Sequence, residues 1–313
     1  MNKIDIVYTW IDGQDIKWIA KKESHLAHCQ VYNNCYKSQA GSERFTDNQE
    51  LKYSLRSIEL FAPWVNHIYI ITDAQKPKWL KDGSKVTIID HTEIIPKEFL
   101  PTFNSSVIEA HLHLIKGLEE KFIYFNDDMF LGKPTSELDF FRKDKPYIFT
   151  SSILQKKNKK RKESTYNVRA INLSRHIVQE KNKIFIGYGL KHGIRPLLKS
   201  RLKLISEIYS EHLTPHYKER FRLNPFSLIY LYTFHELAVN NANSKYLQNI
   251  DHKKIFNFFP GFCYIKDSNI LEFSSNYTKK KPLVFCINEL SKKLELIPLF
   301  SNGIFSKKSK FEQ

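Results

Sequence analysis

FIYFNDDMFLG, residues 122 to 132, is the stretch whose reading decides the fold. Four residues of high β-propensity (Phe122, Ile123, Tyr124 and Phe125) run into Asn126, Asp127 and Asp128, and apolar residues resume at Met129. Adjacent carboxylates at the end of a buried strand repel each other and are costly to bury without a partner. Two readings account for them: an Asx-rich turn, or a divalent cation held at the strand end.

The segments around it repeat the pattern. IDIVYTW (4–10), HIYIITD (67–73), KVTIID (85–90) and KFIYFND (121–127) read as short buried strands, with PYIFTSS (146–152) as a fifth. Helical patterns lie between them. In NQELKYSLRSIELFA, Leu51, Leu55 and Ile58 fall on one face, and Thr46 with Gln49 predicts a capping box. In SSVIEAHLHLIKGL, Ile108, Leu112 and Ile115 do the same, with Ser106 and Glu109 as a second box. Strands alternating with helices predict an α/β protein with a mostly parallel sheet.

Ligands of such sheets bind beyond the carboxyl ends of the strands. Asp12, Asp73, Asp90 and the Asp127/Asp128 pair all fall near those ends. That placement favours the metal reading, and oxygen ligands favour Mg²⁺ or Mn²⁺ shared with a substrate phosphate. With no P-loop and no GxGxxG, a nucleotide would be held through metal and side chains.

From about residue 163 the pattern turns mainly helical. RPLLKSRLKLISEIYSEHL (195–213) reads as an amphipathic helix and NPFSLIYLYTFHELAV (224–239) as a buried one. PLVFCINEL (282–290) reads as a strand returning to the sheet. The tail from Glu289 mixes bulky apolar and basic residues, as a terminal helix or a membrane-surface segment would.

Bulk properties bound the class. At 42% hydrophobic and 14% aromatic residues, 313 residues can bury a sizeable core, which excludes global disorder. No apolar run approaches the roughly 18 residues of a membrane span. The start reads as a first strand, not as a signal peptide, because an acid interrupts its apolar segment. Cys29, Cys35, Cys263 and Cys286 form no CxxC pair and are too few for a disulfide scaffold, which predicts a reducing, cytoplasmic setting.

The net charge is +16, and residues 153 to 222 carry 18 basic and 5 acidic side chains. Such a block suits phosphates, an anionic membrane surface or nucleic acid, or else simply solubilises the chain. The run KKNKKRK (156–162) is expected to be a loop or linker. A nucleic-acid-binding protein is one reading of this charge, but no stacking aromatics interleave with the bases and no known motif is present.

Several segments together resemble the Stealth family, whose members move a sugar-1-phosphate from a UDP-sugar to a hydroxyl. The family includes bacterial capsule and exopolysaccharide phosphotransferases and the animal lysosomal N-acetylglucosamine-1-phosphotransferase. IDIVYTWIDGQD (4–15) is similar to its first block. Its second is matched from RFTDNQELKYSLRSIELFAPWVNHIYIITDAQKPKWL (44–80) through LPTFNSSVIEAHLHLIKGLEEKFIYFNDDMFLG (100–132). HGIRPLLKS…RFRLNPFSLIYLY (192–232) resembles the third more loosely, and VFCINE (284–289) the fourth.

The resemblance implies an α/β, Rossmann-like (GT-A-like) sheet with helices on both faces and a mainly helical insertion. The parts would be 1–152 for the nucleotide sugar, 153–280 for the basic catalytic part, and 281–313 for a returning strand and tail. By residue, it implies that Tyr8, Thr9, Trp10, Asp12 and Gly13 lie near uridine and its phosphates. Asn48, Tyr53 and Arg56 would bind substrate, Arg56 through its planar donor fork. His192, Arg222, Asp128 and Glu109 would be catalytic, with Asp127, Asp128 and Asn288 as metal ligands. Residue types alone do not favour His192 over His212 or His216; Asp12-Gly13 also suits a simple turn, and Glu109 a simple cap.

The chain departs from the family pattern at three places. Pro196 stands four residues after His192 where relatives more often have a proline two after. Glu289 stands for the usual Asp, and Ala74 for the usual Gly. The implied partners are a UDP-sugar and a polysaccharide acceptor, phosphate-containing or lipid-linked, with peripheral contact to the inner membrane and no nucleic acid. The nearest alternative is a metal-dependent glycosyltransferase that releases UDP.

Overall fold

A computed structural model of the chain describes residues 3–27, 45–83, 85–154, 165–250, 261–288, 290 and 293–313. Cys29, Cys35, the basic run 156–162 and Glu289 lie outside the described residues. In chain order the strands are β1 (Ile4–Thr9), β2 (Ile68–Thr72), β3 (Val86–Asp90), β4 (Lys121–Asn126), β5 (Met129–Leu131), β6 (Phe141–Arg142), β7 (Lys145–Leu154), β8 (Tyr188–Leu190), β9 (Arg195–Leu198), β10 (Asn243–Tyr246), β11 (Gln248–Asn249), β12 (Gly261–Ile265) and β13 (Val284–Ile287).

The main sheet runs β3-β2-β1-β4-β9. Its first four strands are parallel, and β9 closes the edge antiparallel to β4. β1 sits at the centre with Tyr8 beside Ile70 on one neighbour and Phe125 on the other. Its residues face opposite sides in turn. Ile4, Ile6 and Tyr8 pack with Leu51, Leu55 and Ile58 of helix Glu50–Phe61. Val7 packs on the other side with Leu202, Ile205 and Tyr232, from helices Lys199–Ile208 and Leu228–Ala238. Both faces are therefore covered, which is why the strands read as unbroken apolar runs. Each such fully buried aliphatic or Phe side chain contributes about 1.5–3 kcal/mol. The one charge within β1, Asp5, is satisfied by Asn66 Nδ2 (2.8 Å) and the Glu119 amide (2.9 Å).

The α/β class and mostly parallel sheet are as expected; several local readings are corrected. The box of Thr46 and Gln49 does not form, because Gln49 is itself the N-cap, in a left-handed conformation (φ 71°) with no capping side chain. Asn104, not Ser106, caps the next helix, which spans only Ser105–Ala110 and leaves Glu109 free of a capping role. Residues 195–198 form strand β9 before the helix begins at Lys199.

PLVFCINEL supplies β13, but to a second sheet, β11-β12-β13-β5, and not to the main one. Much of the tail packs into the core. Phe300, Phe305 and Phe311 are buried in the core, and Glu312 is held by Arg56. No helix among the described residues is long and apolar enough to cross a membrane.

Candidate active site

A cavity of about 770 Å³ opens beyond the carboxyl ends of β1 and β4. That volume suits a nucleotide-sized ligand. Thr9, Trp10, Asn48, Glu109, Asp127, Asp128, His192, Arg222 and Asn288 all line it, although they come from segments spread over nearly the whole chain.

The other expected residues stand elsewhere. Tyr8 lies fully buried beneath the site, its hydroxyl 2.7 Å from Ser54 Oγ. Tyr53 packs edge-on against Phe300. Arg56 does not line the cavity, and four of its five N–H donors are taken: Nε and Nη2 bind Glu312 and Nη1 binds the Phe305 and Ser306 carbonyls. Asp12 does not line the cavity; it accepts from the Gln14 amide as an Asx turn (2.9 Å). Gly13 is fixed by sterics, since a Cβ there would stand 1.9 Å from the Phe45 carbonyl oxygen.

One wall of the cavity is acidic. β4 ends at Asn126, and the following turn places Asp127 and Asp128 at the rim. Glu50 lines the cavity too, and Asp47 is near enough to act on Asp127; Trp10 Nε1 donates to Asp47 (3.3 Å) and the Asn48 amide to Glu50 (2.6 Å). Burial, together with Asp128, Glu50 and Asp47, pushes the Asp127 carboxyl well above its ordinary range. Burial raises Asp128 to about 6, against a bond from the Cys286 thiol (3.2 Å), and raises Glu50 to about 7. Among the described residues no lysine or arginine pairs with any of the four. Asp128 Oδ1 is buried with no hydrogen-bond partner at all.

Other residues lining the cavity are basic. Arg222 stands 5.3 Å over the Tyr166 ring and donates to Ser105 Oγ, while its buried Nε has no partner. Arg195 donates to the Lys191 carbonyl (2.7 Å) and lies 6.0 Å over the Tyr230 ring. His192 sits between β8 and β9; burial first, then Arg195 and Arg222, lower its imidazole to about 4. It is therefore neutral at pH 7. Glu109 is raised by burial, which Arg222, Tyr124 and Arg195 only partly offset. The Tyr124 hydroxyl lies 3.2 Å from Glu109 Oε1 and 3.0 Å from Thr9 Oγ1, joining β1 to β4 at the floor.

Sequence reasoning missed Glu50, Tyr124, Arg195 and Cys286. Arg195 stands inside HGIRP and Cys286 inside VFCINE, so their neighbours were the available signal.

An unpaired buried carboxylate cluster fits a divalent cation, which would relieve both the repulsion and the orphaned Asp128 oxygen. Asp128, His192 and Cys286 moreover offer three ligand atoms within 4.8 Å of one another. Acidic and basic groups lining one cavity, at the carboxyl edge of a parallel sheet, suit an anionic substrate and a cation.

The chain belongs to the Stealth family. Residues 2–25 match the model of Stealth protein CR1, conserved region 1, and residues 44–149 that of CR2, conserved region 2. It is 36% identical over 299 residues to the capsular polysaccharide phosphotransferase LcbA of Neisseria meningitidis, covering 94% of this chain and 79% of that one. It is 34% identical to the capsular polysaccharide phosphotransferase fcs1 of Haemophilus influenzae, covering 92% and 78%. This membership makes the chain an enzyme of the phosphotransferase class. The galactosyltransferase LgtC, solved with donor and acceptor sugar analogs, covers 90% of this chain and 86% of its own at 11% identity. Its TM-score of 0.43 is too low to bear on function.

Proposed function

We propose that the chain transfers a sugar-1-phosphate from a UDP-sugar to a hydroxyl of a growing surface polysaccharide and releases UMP. The observation that carries this reading is one cavity lined by unpaired acidic groups, basic groups and a neutral imidazole. The names of its relatives support the polysaccharide acceptor.

Asp127, Asp128 and Asn288 would hold Mg²⁺ or Mn²⁺. An ion held there would supply neutralisation of diphosphate charge and Lewis-acid polarisation. Arg222, which lines the cavity, would stabilise charge that develops on the transferring phosphate. His192 takes the proton of the acceptor hydroxyl, whose oxygen forms a new bond to phosphorus. The bond from phosphorus to UMP breaks, and UMP leaves with its electrons. Glu109, tied to Tyr124, orients the acceptor hydroxyl. Thr9, Trp10 and Asn48 line the part of the cavity that would take uridine. Buried Cys263 and Cys286, neither in a disulfide, are compatible with the cytoplasmic setting of this reading.

Calorimetric titration with UDP tests the donor half. The reading expects binding that needs Mg²⁺ or Mn²⁺ and loses that dependence in Asp128→Asn. UDP affinity indifferent to both metal and Asp128 would count against it.

A further inference from the structure

The donor atoms around Asp128 are not all of the kind that a hard cation uses. Antiparallel pairing of β13 with β5 sets Cys286 opposite Met129, the residue after Asp128. The Ile287 amide fixes that register by donating to the Asp128 carbonyl (2.9 Å). The thiol is thereby locked 3.2 Å from Asp128 Oδ2, fully buried behind the carboxylate. His192 lies on the loop between β8 and β9. A carboxylate, an imidazole and a thiol from three separate segments thus meet within 4.8 Å. Asp128 lines the cavity, and its Oδ1 is buried with no hydrogen-bond partner.

Magnesium takes oxygen ligands and leaves thiols and imidazoles aside. Zinc-class ions take all three donor types, near 2.0–2.3 Å in a tetrahedral arrangement that leaves a fourth position for water. Small side-chain movements would bring a 4.8 Å triangle to that size.

We propose that Asp128, His192 and Cys286 form a second, overlapping metal site for a thiophilic divalent ion of the zinc class, and that its occupancy switches the enzyme off. Asp128 belongs to both donor sets, so one ion excludes the other. Binding exchanges the Cys286 S–H bond for a sulfur–metal bond, and the proton leaves to solvent; no electrons change hands. The imidazole of His192 becomes a ligand and can no longer accept a proton. The binding half of this proposal stands on the donor geometry alone, while the switching half rests on the role given to His192 above.

Cobalt(II) is the probe for binding, because a cobalt–thiolate bond has its own near-ultraviolet charge-transfer band, independent of activity. Cobalt titrated into the full-length protein should produce that band with tetrahedral d–d absorption. Cys263→Ser should keep both, and Cys286→Ser should lose the charge-transfer band and weaken cobalt binding at least about tenfold. No charge-transfer band in the unmodified protein overturns the proposal, whatever the variants do. So does a band that survives Cys286→Ser, since the thiolate would then be another cysteine.

For the switch, zinc should inhibit turnover at saturating Mg²⁺ in the unmodified protein, and at least about tenfold less in Cys286→Ser. Equal inhibition of both overturns the switch. If the phosphotransferase reading itself failed, the cobalt spectra would still decide the site.

Discussion

Arg56 grips Glu312 across 256 residues of sequence, with Nε 2.7 Å from Oε1 and Nη2 2.7 Å from Oε2. Both side chains are almost closed to solvent. This pair fastens the tail to helix Glu50–Phe61, and Ser309 adds two bonds to the same carboxylate. Removing one partner would leave a buried charge uncompensated. Glu312→Ala should therefore destabilise the fold by about 3–5 kcal/mol, read as a lowered denaturant midpoint. Donor KM of the folded fraction should not change, because Arg56 does not face the cavity.

The same carboxylate makes a pH prediction. Burial raises Glu312, but bonds from Arg56 and Ser309 outweigh it and leave the group below its ordinary value. A depressed carboxyl contributes stability that is present above its unfolded value, near 4.3, and is lost as pH falls through its folded value. Unfolding free energies of the unmodified protein and Glu312→Gln should thus differ at pH 7 and converge in acid below pH 4. A constant gap across that window would contradict the assignment.

His192→Ala should lower turnover by about 10²–10⁴ while UDP affinity persists, as expected of a lost general base. With burial and two arginines lowering the imidazole to about 4, the neutral form persists through pH 5. At saturating metal, kcat should show no half-loss near pH 6.5, where an exposed histidine would titrate.

Metal affinity should itself depend on pH. Protons compete with the cation for Asp128, which burial raises to about 6 in the metal-free site. Mg²⁺ or Mn²⁺ binding, followed calorimetrically, should weaken as pH falls through that value and be weaker at every pH in Asp128→Asn.

Ala74 holds φ at 55°, in the left-handed region, with its amide donating to Asp90 Oδ2 (2.5 Å). Glycine adopts that conformation without strain and keeps the amide. Ala74→Gly should stabilise the fold by about 1 kcal/mol in chemical denaturation.

Much of this was legible in the sequence because burial on both faces leaves a plain trace. β1, β2 and β4 read correctly since a central parallel strand has no polar side to confuse the pattern. The acids at the ends of β1 and β4 were legible for the same reason: a charge is conspicuous where an apolar run stops. The capping boxes failed because a short pattern such as S-x-x-E cannot tell which residue the chain turns at. β9 was hidden because four residues of strand run straight into a helix.

Arg56 was the misleading case. It is buried, its partner lies 256 residues away, and no local pattern reports a tail folding back. Arg195, Tyr124 and Cys286 owe their place to pairing between distant strands, so their identities alone carried no signal.

The central claim is that the bond broken lies between the sugar phosphate and UMP. The direct measurement is the nucleotide released when the protein is incubated with Mg²⁺, a panel of UDP-sugars and an oligosaccharide acceptor. The account predicts UMP, formed in step with a phosphodiester-linked product and abolished in Asp128→Asn. Release of UDP with a glycosidic product would contradict it, and would remove the roles given to His192 and Arg222.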